Sequence, residues 1–160
     1  MDDGRAMIEE RLSELGIELP PAPAPVASYV PVRIADPLAF VAAQIPLEDG
    51  IVSPTGAVDG EVPVEQAQEG TRRCALQALA ALREALGTLD RVIGIVQLTV
   101  YVASSPGFTQ QPAVANGASD VLVEIFGEDG RHARAAVGVA ELPLGASVEV
   151  AVIAEISPND

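Results

Sequence analysis

The segment from Gly130 to Val150 holds the residues whose types and order most suggest chemistry. Arg134 is predicted to open a β-strand, and Glu149 lies in the next predicted strand, which we expect to pair back on the first. A guanidinium can hold a carboxylate through two parallel hydrogen bonds, and a nearby carboxylate can order a water molecule or move a proton. On residue chemistry alone, a cross-strand Arg134–Glu149 ion pair on a solvated face is the simpler interpretation.

Other reactive side chains are scarce. His132 is the single histidine, and it titrates near neutrality, as a general base would. Its position just before a predicted strand is also typical of an exposed turn residue. Cys74 is the single cysteine, and its apolar neighbours in a predicted helix favour a buried, inert thiol. One cysteine and one histidine exclude an internal disulfide, a cysteine-based metal cluster and a multi-histidine zinc site, so we expect no metal and no cofactor.

The balance of acidic and basic residues excludes further classes of function. The chain of 160 residues has 9 basic and 23 acidic residues, a net charge of -14, and every basic residue is an arginine. Without lysine there is neither a Schiff-base nucleophile nor a phosphate-loop lysine. A surface this acidic should repel a polyanion, so nucleic acid is not an expected partner and RNA cleavage is disfavoured. With no secretory signal and no apolar run near the ~20 residues of a membrane span, we expect a cytoplasmic protein without a membrane partner.

The hydrophobic pattern predicts an N-terminal appendage and one body. A short helix is expected from Met7 to Leu15, ended by Gly16, and the proline-rich stretch from Leu19 to Pro25 favours an extended arm. We therefore divide the chain into an N-terminal helix and arm, residues 1–26, and one domain, residues 27–160.

The body is predicted to run β-β-α-β-α-β-β. Strands and helices alternate in the middle with a hairpin at each end, which indicates an α/β (α+β) domain with a mixed sheet and two main helices packed on one face. The other face would remain apolar, and oligomerisation is expected to cover it. The predicted strands are Ser28–Ile34, Leu38–Gln44, Val92–Val102, Ala135–Glu141 and Ser147–Ile156; the helices are Val64–Leu86 and Pro112–Phe126; the segment Leu47 to Gly60 is predicted to be loop.

The run from Ala133 to Glu149 resembles the signature segment of the RidA/YjgF family, once named L-PSP endoribonucleases. In that segment an arginine begins a valine-rich strand, a Leu-Pro turn follows, and a glutamate lies in the final strand. Three further matches occur in the expected order, and the resemblance covers about Ala27 to Ile156. They are Ser28-Tyr29 in the first strand, Gln44-Ile45-Pro46 at the end of the second strand, and Asn116 in the second helix.

The resemblance implies a chorismate-mutase-like fold and a homotrimer with small-molecule clefts between its subunits. In members with deaminase activity, the arginine binds the carboxylate of a 2-imino acid and the glutamate holds the attacking water. Carried across, Arg134 would anchor a small carboxylate-bearing metabolite and Glu149 would position water, while Tyr29, the backbone of Ala136, and Asn116 would contact the substrate. A protonated imine is already electrophilic, so positioning and charge neutralisation suffice without a cofactor.

Two departures from the family pattern suggest a divergent subgroup. Active members usually have Ser-Gly before Gln-Ile-Pro, where this chain has Ala42-Ala43, and they often have cysteine where this chain has Ala136. The first change removes a hydroxyl contact, whereas the second costs little if only the backbone is used. Two functions are therefore expected as alternatives. One is hydrolytic deamination of small 2-imino acids to 2-keto acids and ammonia, and the other is non-catalytic binding or sensing of a small carboxylate in the same cleft.

Overall fold

The two main helices and the five strands of the main sheet occur in the predicted order in the computed structural model, which describes residues 7–158. The two main helices pack on one face of a mixed sheet, which confirms the chorismate-mutase-like α+β fold. Its elements are α1 (Ile8–Leu15), β1 (Val32–Ala35), β2 (Leu38–Gln44), β3 (Leu47–Glu48), β4 (Ile51–Val52), α2 (Val64–Leu86), β5 (Val92–Ala103), α3 (Gln111–Phe126), β6 (Ala133–Val139) and β7 (Val148–Ile156).

The strand order of the main sheet is β1-β2-β7-β5-β6. Strands β5 and β6 are parallel, as expected for a strand–helix–strand crossover through α3, whereas β7 runs antiparallel to both β2 and β5. The predicted hairpin between the last two strands is therefore wrong, because β5 lies between β6 and β7. The segment 140–147 spans two strand spacings of about 4.8 Å each, so it can cross the end of β5.

Two local predictions also need correction. The first strand begins at Val32 rather than Ser28, because Pro31 cannot donate a ladder hydrogen bond. The segment Leu47 to Gly60 is not all loop, since β3 and β4 form a small antiparallel ribbon. Asp49 and Gly50 connect its strands and both have positive φ, the conformation that Asp-Gly favours in a two-residue hairpin turn.

The core lies between the sheet and the two main helices. Alternate residues of β7 point to this side and are almost fully buried: Val148, Val150, Val152, Ala154 and Ile156. Helices α2 and α3 approach each other closely at Gly117, where a Cβ atom would collide with the Gln68 backbone carbonyl. Ile8 and Leu12 of α1 join the same hydrophobic cluster.

The opposite face of the sheet is left open in a single copy of the chain. It carries apolar side chains such as Phe40 and Val137, 40% and 43% exposed, next to the polar Thr99 and Glu149. This face is more mixed in polarity than the sequence suggested. In the described part of the chain, no helix has the length and apolar character needed to cross a membrane.

Candidate functional site

Arg134 lies at the start of β6, on the edge of the sheet and on the side that faces the helices. In register it stands opposite Leu98, a fully buried core residue of β5. Its Nη1 donates to Oδ1 of Asn116 at 2.8 Å and to Oγ of Ser119 at 3.1 Å, both on α3. The short turn between α3 and β6 brings the strand back along the helix, and this places Arg134 beside Asn116 and Ser119. The guanidinium is thus exposed but held in one orientation.

His132 extends this cluster. Its Nδ1 is 2.6 Å from the carbonyl oxygen of Gly130, and its Nε2 is 2.9 Å from Oγ of Ser119. A carbonyl can only accept, so neutral His132 carries its proton on Nδ1, and Nε2 accepts the hydroxyl proton of Ser119. Partial burial is the main cause that lowers the pKa of His132; the hydrogen bond to Gly130 raises this pKa, and the charge of Arg134 lowers it by less. His132 is therefore half-buried and paired rather than an exposed turn residue.

Sequence reasoning missed Ser119. The available signal was its spacing: Ser119 follows Asn116 by three residues, so the two share one face of α3. Serine is too common in helices for that spacing to stand out. Only the placement of β6 beside α3 gives the hydroxyl its partners.

Glu149 lies near the start of β7 on the open face of the sheet, where it stands opposite Tyr101 of β5. Its carboxylate is half-buried, and burial raises the pKa of Glu149. The cross-strand Arg134–Glu149 ion pair is not formed. Strand β5 separates the two residues, and their side chains point to opposite faces of the sheet.

Tyr29 does not belong to the first strand but to the bend before it, and it is 49% exposed. It lines a cavity of about 290 Å³ between the proline-rich arm and the end of β2. Other lining residues are Pro23, Pro25, Ala42, Ala43, Gln44 and Leu144. The arm, for which the sequence predicted only an extended conformation, therefore forms a wall of this cavity.

The Gln-Ile-Pro segment has a structural anchor in α2. The buried Gln77 donates to the carbonyl oxygen of Ile45 at 2.8 Å and accepts from the backbone N–H of Leu47 at 2.8 Å. These bonds fix the turn that ends β2. Gln44 stands opposite Val150, the residue after Glu149, so this turn lies at the same end of the sheet as Glu149.

In one copy of the chain, the predicted site residues form two groups. Arg134 and Asn116 meet on the helix side of the sheet edge, and Ala136 also faces that side, partly buried against the core. Glu149 lies on the open face, and Tyr29 lies beside the end of β2. Within residues 7–158, no cluster of three or more His, Cys, Asp and Glu side chains could hold a metal ion.

The comparisons with known proteins agree with this architecture. The model of the family described as Endoribonuclease L-PSP matches residues 20–156. The chain belongs to this family, also known as RidA/YjgF. Among curated proteins it is similar to Protein TCP17 of Trypanosoma cruzi, with 46% identity over 151 residues, 94% of each chain.

Solved structures of the family resemble the chain to different degrees. The crystal structure of Atu1372 from Agrobacterium tumefaciens has a TM-score of 0.86 at 46% identity, covering 94% of this chain and 92% of that one. RidA from the Antarctic bacterium Psychrobacter sp. PAMC 21119 has a TM-score of 0.57 at 26% identity, covering 84% and 94%. The lower similarity to RidA agrees with a divergent member.

Proposed function

We propose that this protein hydrolyses small 2-imino acids to 2-keto acids and ammonia, in the cytoplasm, in clefts between the subunits of a homotrimer. The observation that supports this most is the state of Arg134. Its guanidinium is exposed, is oriented by two neutral oxygens, and forms no ion pair within residues 7–158. An oriented but uncompensated guanidinium is suited to a ligand carboxylate.

In the proposed reaction, Arg134 binds the carboxylate of the 2-imino acid and so fixes the position of the C=N carbon. Water adds to that carbon, the C–N bond breaks, and the products are a 2-keto acid and ammonium. Glu149 is proposed to take the proton from the attacking water. Its half-buried carboxyl has a raised pKa, which makes it a better proton acceptor than an ordinary glutamate.

The proposal includes an oligomer because Arg134 and Glu149 lie on opposite sides of the sheet. Arg134 and Glu149 cannot reach one small ligand within a single copy, because they point to opposite faces of the sheet. A neighbouring copy laid against the open face would bring a Glu149 of one subunit to an Arg134 of the next. Sedimentation equilibrium tests this directly, since a monomer would remove the proposed cleft.

The activity is tested by generating 2-imino acids in solution with an amino-acid oxidase. Keto-acid formation is then followed against a trapping reagent that captures the imine. We expect the wild type to accelerate keto-acid formation and Arg134→Ala to abolish the acceleration. Arg131→Ala, which removes an exposed arginine three residues earlier that pairs with Glu128, is the matched control and should retain activity.

A second function would follow from the opposite result. If neither protein changes the imine lifetime across several amino-acid precursors, the deaminase proposal fails. The chain would then be a binding or sensing module for a small carboxylate, a role that needs Arg134 but not Glu149. In one copy Arg134 and Glu149 point to opposite faces of the sheet, and this separation is the observation that favours the alternative. Saturable keto-acid binding that is lost in Arg134→Ala would support it.

A further inference from the structure

Ser119 and His132 are arranged as a nucleophile and a base. The hydroxyl oxygen and Nε2 are 2.9 Å apart, within the reach needed for proton transfer. The base is oriented by a third group, because Nδ1 is fixed on the Gly130 carbonyl at 2.6 Å. The hydroxyl proton therefore already points at the lone pair that would receive it.

Arg134 completes the arrangement. Its Nη1 donates to the same Ser119 oxygen at 3.1 Å, which places a positive charge where an alkoxide would develop. Nη1 also donates to Asn116, so among the described residues Nη2 and Nε are left to bind an oxyanion formed beside Ser119. The lowered pKa of His132 agrees with an imidazole that is neutral, and so able to accept a proton, near pH 7.

Two features distinguish this cluster from an ordinary helix-to-strand turn. A serine hydroxyl in a helix commonly bonds back to a carbonyl one turn earlier, as Ser13 does to Glu9. The Ser119 hydroxyl instead donates outward, to an imidazole beyond the end of its own helix. Ser119 and His132 are also only partly buried, so a small molecule can approach them.

We propose that Ser119 is the nucleophile of a second activity, acyl transfer from short-chain carboxylic esters, with His132 as its base and Arg134 as the oxyanion donor. Ser119 Oγ attacks the ester carbonyl carbon while its proton passes to His132 Nε2. The tetrahedral intermediate collapses, the C–O bond to the leaving alcohol breaks, and His132 protonates that alcohol. Water then attacks the acyl-Ser119 ester, releasing the carboxylic acid and the free serine. This activity needs neither Glu149 nor an imine.

The experiment uses p-nitrophenyl acetate as the probe and the full-length protein in its native assembly. We expect a burst of p-nitrophenolate and an acetyl group that peptide mass spectrometry locates on Ser119. Ser119→Ala should remove both the burst and the adduct. His132→Gln, which keeps a hydrogen-bonding side chain but no base, should slow acylation by ~100-fold or more.

Two controls separate this proposal from simpler outcomes. Ser13→Ala removes a helical serine without a base and should leave the burst unchanged, and Glu149→Gln should do the same even if imine hydrolysis is lost. Acetylation elsewhere without acetylation of Ser119, or an acylation rate equal in wild type and His132→Gln, would overturn the proposal. Mapping the adduct on the wild type decides the question even if a variant fails to fold.

Discussion

Two arginines in this chain form opposite kinds of cluster. Arg83 of α2 grips Glu9 of α1 with two bonds, Nε to Oε1 at 3.1 Å and Nη2 to Oε2 at 2.7 Å. Glu9 Oε1 also accepts from the backbone N–H of Leu89, so charge and hydrogen-bonding capacity are both satisfied. Arg134, by contrast, is held only by the neutral oxygens of Asn116 and Ser119 within the described residues.

The contrast shows how one side chain can serve structure or binding. A guanidinium paired with a carboxylate ties two elements together and has little left for a ligand. A guanidinium oriented by neutral groups keeps its charge while losing its freedom, which lowers the entropic cost of binding an anion. The Arg83 cluster therefore joins α1 to the body, and the Arg134 cluster is the one for which we propose a role in ligand binding.

The largest effect is expected when the Arg134 cluster is given a carboxylate, as the Arg83 cluster already has. Asn116→Asp places a carboxylate of nearly the same shape on Arg134 and should neutralise its charge. We expect the kcat/KM for imine hydrolysis to fall ~10- to 100-fold, which is the loss of one charge-assisted hydrogen bond to the ligand. Steady-state kinetics measure this. Asp120→Asn, one turn further along α3, is the control, and equal kcat/KM for Asn116→Asp and wild type would contradict a binding role for Arg134.

The converse change should act on stability alone. Glu9→Gln leaves Arg83 with a neutral partner, and we expect the free energy of unfolding to fall by about 1 kcal/mol, because the pair is only partly buried. Chemical denaturation measures this, with imine hydrolysis expected to be unchanged. Glu14→Gln, which breaks the more exposed pair with Arg11, should have a smaller effect. An equal loss of unfolding free energy in both variants would mean that the partial burial of the Glu9–Arg83 pair does not strengthen it.

A smaller effect is expected at Glu149, whose pKa is raised by burial. The folded chain binds this proton more tightly than the unfolded chain. The stability that this provides is present below the unfolded pKa of about 4.3 and is lost as the pH rises through the folded value. Glu149→Gln should therefore stabilise the fold at pH 7, by less than about 1 kcal/mol for a half-buried group, and have no effect near pH 3.5. Denaturation at both pH values checks this, and equal effects at both would contradict the assignment; Glu155→Gln, exposed on the same strand, is the control.

The smallest effect concerns the link between His132 and Arg134. Burial is the main cause of the lowered pKa of His132, and the charge of Arg134 adds the smallest contribution, so Arg134→Ala should raise that pKa slightly towards the ordinary value of about 6.5. Because the chain has one histidine, an NMR titration of its ring protons reports on this group directly. Arg131→Ala is the control. An unchanged titration in Arg134→Ala would show that burial and the Gly130 hydrogen bond set the pKa of His132 without Arg134.

The fold was largely predictable because its signals are local. Apolar periodicity gave α2 to the residue, Val64–Leu86, and Gly87 ends that helix in the left-handed conformation that glycine adopts without penalty. The start of β6 and the end of β2 were also close to their predicted positions. The predicted start of the first strand at Ser28 was wrong, since Pro31 prevents regular pairing there and the strand begins at Val32.

Strand pairing was not predictable in the same way. Alternating side chains in β6 and β7 indicate two strands but not which neighbour each one chooses, and the short connection between them favoured a hairpin. The choice is made by α3, which has to lie over β5 and β6 to bury its apolar face. In this arrangement β6 lies at the outer edge beside β5, and β7 pairs with the other side of β5.

The sequence by itself determined most of the elements, the family, and the chemical types available: arginines, a glutamate in the last strand, one histidine and no lysine. These follow from local patterns and composition, which do not depend on the path of the chain. Only the tertiary structure decided which groups meet. It separated Arg134 from Glu149 by one strand and by the thickness of the sheet, and it brought Ser119 to His132. Contacts between residues distant in sequence depend on how helices and strands pack, and no single segment encodes that packing.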